Sequence, residues 1–150
     1  MNLKYISKNI EDTLTIAENI ESEKFPNMVI CLEGDLGCGK TVFVKAFARA
    51  LGIDESITSP TFTIIKEYFS GEMPLYHMDV YRLNDDFENV GLEDYFNKDG
   101  ITIIEWSDMI KEYLPEERLE IKFKVIDENT RVLILTPFGE RYEELCSAVL

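Results

Sequence analysis

Met28-Val29-Ile30-Cys31-Leu32 is an unbroken apolar run of strand length, the pattern of a strand covered on both faces. A glycine-rich stretch follows it. Then Phe43, Ala46, Phe47, Ala50 and Leu51 recur at i, i+3, i+4, i+7 and i+8, the stripe of a buried helix, and Gly52 stands where a C-terminal cap belongs. Upstream, Leu3–Ser7 reads as a short strand, and residues 9–24 as a helix capped by Asn9, with Ile10, Leu14 and Ala17 on its apolar face. Downstream, Phe62–Phe69 and Leu75–Tyr81 are strand-like and joined by a hairpin connection, Ser70-Gly71-Glu72-Met73-Pro74. Gly91–Phe96 reads as a short helix, and Ile101-Thr102-Ile103-Ile104-Glu105 as a second buried strand that ends in an acid. Leu119, Ile121, Phe123 and Val125 alternate with Glu120, Lys122 and Lys124, which gives that strand one wet face. Val132–Leu135 pairs with it across the Asp127–Thr130 turn, and Tyr142, Leu145, Cys146, Val149 and Leu150 form a closing helical stripe. The pattern predicts an α/β fold with a mixed β-sheet. With no repeat and no Pro/Gly/Ser-rich linker, one domain over residues 1–150 is expected.

The glycine-rich stretch carries the chemistry. Gly34, Gly39, Lys40 and Thr41 fill every fixed position of G-x-x-x-x-G-K-[ST], between a buried strand and a helix, as that motif requires. The glycines let backbone N–H groups turn inward around a phosphate, where a Cβ would obstruct. Lys40 supplies a point charge to the β- and γ-phosphates, the Thr41 hydroxyl a ligand for Mg²⁺, and the helix start its positive dipole end. Asp35, Leu36, Gly37, Cys38, Gly39, Lys40, Thr41 and Val42 are therefore the candidate nucleotide contacts. Cys38 needs no catalytic role, being small enough for a variable loop position, though its thiol is a candidate oxidation-sensitive spot.

A phosphate loop needs a carboxylate near its metal, usually at the end of a neighbouring apolar strand. Glu105 meets that description. In "LYHMDVYRL", His77, Asp79 and Tyr81 share one strand face, opposite Met78 and Val80. Periodicity alone divides evenly between a solvated face and a wall of the nucleotide site with Asp79 near Mg²⁺ or its water. His77, the single histidine, reads as structural. Ser59-Pro60-Thr61 lies where switch-type NTPases sense the γ-phosphate, but by pattern alone it is a proline-fixed turn. Guanine recognition by N/T-K-x-D is absent, because Asn97-Lys98-Asp99-Gly100 puts its acid one position early; adenine follows by elimination. A small-molecule kinase and a nucleotide-sensing module stay open. The scattered arginines supply no evident lid over a transferred phosphate.

Charge narrows the partners. Twenty-nine acids against fifteen bases leave a net charge of −14, so the chain lacks the basic cluster with which proteins displace counterions from nucleic acid. Direct, autonomous binding to nucleic acid is not expected. Cys31, Cys38 and Cys146 make neither a disulfide framework nor a metal site. The start lacks a signal's apolar core and no run is long enough to cross a membrane, so the chain reads as soluble and cytoplasmic.

"GDLGCGKT", "TSPTFTIIKEY", "YHMDVYRL", "GLEDYF" and "IIEWSD", in this order, resemble the TsaE family, small bacterial ATPases required to make threonylcarbamoyladenosine in tRNA. The resemblance spans about Val29 to Asp108. It implies a three-layer P-loop NTPase fold, ATP and Mg²⁺ as cofactors, and dependence on the TsaB–TsaD pair, whose TsaD member performs the carbamoyl transfer. It further implies that Lys40 and Thr41 hold the β/γ-phosphates and Mg²⁺, and that Glu105 is the strand-end acid at the metal. Asp79 becomes the second acid and Thr61 a switch residue, with Trp106 beside the site. Cys38 stands where the family commonly has alanine, and Val42 where it has a second threonine.

Overall fold

The computed structural model describes residues 2–35, 37–58, 60, 64–81 and 91–150. Leu36 and Thr61, two of the candidate site residues, lie outside the described residues.

Among the described residues seven strands form one mixed sheet. They are β1 (Leu3–Ser7), β2 (Val29–Glu33), β3 (Ile65–Tyr68), β4 (Leu75–Asp79), β5 (Ile101–Glu105), β6 (Arg118–Val125) and β7 (Arg131–Phe138), in the order β1-β7-β6-β2-β5-β4-β3. The centre, β6-β2-β5-β4, is parallel; the β1–β7, β6–β7 and β3–β4 pairs are antiparallel. Central strands buried on both faces have no room for alternation, which is why β2 and β5 read as continuous apolar runs.

Helices α1 (Ile10–Ser22), α2 (Lys40–Leu51) and α3 (Glu140–Val149) share one hydrophobic core with one face of this sheet. Phe43 and Phe47 of α2 pack there among Ile30, Leu32, Ile103, Leu119 and Ile121. On the opposite face, 3₁₀ segments Leu92–Asn97 and Ser107–Tyr113 place Leu92, Phe96 and Ile110 against Val29, Cys31, Met78 and Ile104. The three layers expected from the sequence are present, the third being a thin one of 3₁₀ turns among the described residues.

Asn9 caps α1 by accepting from the Asp12 N–H at 2.9 Å, and Gly52 ends α2 in the left-handed region at φ 93°, both as the sequence predicts. The buried stripe of α1 departs from expectation. It runs through Thr13, Ile16, Ala17 and Ile20, while Ile10 is 63% exposed. Ile10 occupies the first turn, at the rim of a cleft, so its side chain meets open space rather than the sheet.

Parallel pairing brings the C-terminal ends of β2, β4 and β5 to one edge of the sheet. Leu32 stands opposite Glu105 and Asp79 opposite Glu105. That edge is where ligands bind in open parallel sheets, because strand ends and helix N-termini converge there.

Candidate nucleotide site

The chain leaves β2 through Gly34 (φ 147°), Gly37 (φ 78°) and Gly39 (φ 112°) before α2 begins at Lys40. Such φ values suit glycine, and they turn the loop around the start of the helix. Its first backbone bond runs from Phe43 N–H to Gly39 O at 3.0 Å. The N–H groups ahead of it have no helical acceptor and face outward with the positive dipole end, a seat for an anion.

Lys40 is buried, and three groups hold its ammonium. Nζ donates to Gly34 O at 2.5 Å, lies 4.2 Å from the centroid of the Trp106 ring and is 3.9 Å from Glu105 Oε1. Trp106 reaches this position because it follows β5 with a left-handed backbone, φ 62°, its N–H donating to Leu32 O. The Tyr81 ring rests against it, centroids 4.9 Å apart. The next turn is anchored by Glu33, whose Oε1 accepts from Ser107 Oγ at 2.5 Å and from the Asp108 N–H at 2.9 Å. Burial pushes the Glu33 carboxyl above its ordinary range, against these bonds.

Glu105 has a second partner on β4. Its Oε2 lies 2.6 Å from His77 Nε2, and both side chains are buried. His77 therefore lies on no solvated face. Asp79, the last residue of β4, accepts the Tyr81 N–H at 3.1 Å; Tyr81 itself lies past the strand's end rather than within it. The β4–β5 register brings the two candidate acids, Asp79 and Glu105, side by side at this edge.

These groups line a cleft of about 1110 Å³. Asp35, Gly37, Gly39, Lys40, Thr41 and Val42 form its floor, and Asp79, Tyr81, Glu105 and Trp106 one wall. The far end comes from parts of the chain that the motif did not implicate: Ser7, Asn9 and Thr13 at the β1–α1 junction, and Glu128, Asn129 and Arg131 at the β6–β7 turn. Arg131 ties that turn to the phosphate loop, donating from Nε to Cys38 O at 3.1 Å and from a terminal nitrogen to Gly37 O at 3.4 Å. Its other terminal nitrogen donates to Asp127 O at 2.8 Å.

Cys38 is 1% exposed, and burial raises its thiol. Reactive cysteines are accessible thiolates, so the oxidation-sensitive role considered for Cys38 does not fit its surroundings.

The family model described as "Threonylcarbamoyl adenosine biosynthesis protein TsaE" matches residues 7–133. The chain belongs to the TsaE family. It is 49% identical over 144 residues to the tRNA threonylcarbamoyladenosine biosynthesis protein TsaE of Bacillus subtilis (strain 168), covering 96% of this chain and 91% of that protein. To the protein of the same name from Treponema pallidum (strain Nichols) it is 37% identical, covering 86% and 96%. The crystal structure of YdiB from Bacillus subtilis superposes with a TM-score of 0.88 at 44% identity, over 99% of this chain and 94% of that one. TsaE membership agrees with the expectation from the five motifs, and the α/β fold with its mixed sheet agrees with the one drawn from the hydrophobic pattern. Among the described residues no helix is long and apolar enough to cross a membrane.

Proposed function

We propose that this member of the TsaE family binds Mg-ATP in the cleft and hydrolyses it to support threonylcarbamoyladenosine modification of tRNA, acting through the TsaB–TsaD pair. The observation that carries the ATPase part is the meeting of the phosphate-loop Lys40 with a strand-end acid, Nζ 3.9 Å from Glu105 Oε1. Family membership carries the part concerning tRNA.

In this reading the loop N–H groups receive the β-phosphate, and Lys40 leaves Gly34 O to meet the β- and γ-oxygens. The far end of the cleft, between Asn9 and Arg131, has room for the base and ribose. Thr41, Glu105 and Asp79 offer the hard oxygen donors that Mg²⁺ takes. Glu105 fits such a role because Oε2 is engaged by His77 while Oε1, among the described residues, has only the long contact to Lys40. When bound, Mg²⁺ offsets charge on the β- and γ-phosphates. Glu105 and Asp79 orient the attacking water, and Trp106 with Tyr81 shields that end of the cleft from bulk solvent. Thr61 is assigned here as the residue that reports the γ-phosphate to the partner. A surface of net charge −14 disfavours direct contact with tRNA and suits a basic surface on the protein pair.

Phosphate release from Mg-ATP, measured with and without the TsaB–TsaD pair, tests the proposal. Slow release that rises with the pair is expected. Lys40→Ala should abolish nucleotide binding, and Glu105→Ala should lose hydrolysis while still binding ATP. Release that ignores the pair would overturn the partner dependence, and an active Lys40→Ala variant would overturn the site.

A further inference from the structure

His77 was read from the sequence as a structural histidine, yet it makes the shortest contact at Glu105. Strands β4 and β5 are parallel and in register, Asp79 opposite Glu105 and His77 opposite Ile103. His77 and Asp79, two residues apart, therefore stand on one face of β4 and flank the Glu105 side chain. At 2.6 Å, Nε2 is within hydrogen-bond reach of Oε2, whereas Lys40 at 3.9 Å is not. A carboxylate only accepts, so the imidazole proton that meets it sits on Nε2. Nδ1 is buried and has no hydrogen-bond partner among the described residues. Among the described residues, the ring's one polar engagement is thus with Glu105.

We propose that His77 is a positioning residue that holds Glu105 by Oε2 and leaves Oε1 alone facing the phosphate loop. The inference rests on the reading of Glu105 as the metal-side carboxylate. With Oε2 held, Glu105 is kept from closing on Lys40 with both oxygens, an ion pair that would hold the ammonium away from incoming phosphates. Released from His77, the carboxylate turns freely, and the Mg²⁺-dependent part of nucleotide binding weakens. Residues that orient a metal-binding carboxylate in this way are typically worth ~10–100-fold in metal affinity or activity.

The test is a Mg²⁺ titration of the full-length chain with ATP, read by emission of Trp106, the single tryptophan, and separately by phosphate release. The variants are His77→Gln, His77→Asn, Glu105→Gln and the Asn/Gln double variant. The Gln amide reaches about as far as Nε2 does, and the Asn amide does not. His77→Asn should need roughly 10–100-fold more Mg²⁺ for half its emission change, with ATP binding in EDTA unchanged. His77→Gln should stay close to the parent, and the double variant should be no worse than Glu105→Gln. Parent-like Mg²⁺ dependence in His77→Asn, or a His77→Gln as impaired as His77→Asn, would overturn the inference. So would failure of both His77 variants to fold, which would mark a purely structural histidine. An unchanged Glu105→Gln would remove the metal reading of Glu105 itself, whereas a shifted Glu105→Gln beside an unshifted His77→Asn would remove the positioning role alone.

Discussion

Alanine at Gly34 tests the shape of the phosphate loop without touching its charge. Gly34 has φ 147°, and a Cβ there would lie 2.7 Å from Cys38 Sγ, 3.0 Å from Phe123 O and 3.1 Å from Phe123 Cβ. The backbone conformation alone costs a side-chain-bearing residue about 1–3 kcal/mol. Overpacking against a buried thiol and a strand carbonyl adds about 1–3 kcal/mol. For a chain of this size each kcal/mol lowers Tm by about 2–4 °C, so a central loss of roughly 4 kcal/mol becomes roughly 8–16 °C. Gly37 is the control. It too has positive φ, 78°, but a Cβ there meets nothing within 4 Å, so Gly37→Ala should lose only the left-handed backbone cost, about 1–2 kcal/mol. Thermal and denaturant unfolding of both variants decides the matter. Adding Cys38→Ala to Gly34→Ala should return part of the loss, because the sulfur contact goes and the Phe123 contacts stay. If Gly34→Ala and Gly37→Ala melt together, close packing around the loop is not what demands glycine at Gly34, and the reasoning fails.

Asp79→Asn should slow hydrolysis by about 10–100-fold, the usual loss when a group that orients a metal site is removed, while ATP binding in EDTA stays at the parent level; unchanged turnover would return Asp79 to a solvated role. Arg131→Met removes the bonds to Cys38 O and Gly37 O; it should cost about 1–3 kcal/mol in denaturant unfolding and weaken ATP binding in a direct titration. Association with the TsaB–TsaD pair should weaken as salt rises from about 0.05 to 0.5 M, since surface charges are screened over a Debye length of about 10 Å at 0.1 M; salt-insensitive binding measured by calorimetry would count against an electrostatic contact.

What the sequence made legible was local. Eight contiguous residues define the phosphate loop, and continuous apolar runs identify β2 and β5 because both faces of a central strand are buried. The partnership of His77 with Glu105 was not legible. Periodicity puts His77 and Asp79 on one face, but only the β4–β5 pairing reveals what that face meets, 28 residues further along the chain. The far end of the cleft was hidden for the same reason, since Arg131 reaches Cys38 across 93 residues through the strand order. In α1, Ile10 obeys helical periodicity yet sits in the first turn at the rim of the cleft, where burial no longer follows the stripe. Cys38 fits the loop as its size suggests, but its oxidation sensitivity was not legible, because residue type carries no record of packing around a loop.

Lys40 already has a carbonyl, an aromatic face and an acid around its ammonium. If the proposed ATP binding holds, receiving a phosphate is an exchange of partners for this lysine rather than the filling of a vacancy. Affinity for ATP would then be a difference between two occupied arrangements, smaller than the attraction of a lysine to a triphosphate would suggest. In the same reading that resting place lowers the cost of letting go, because the ammonium would have somewhere to return as ADP departs. In the proposed ATPase, such an arrangement gives up some tightness and gains turnover.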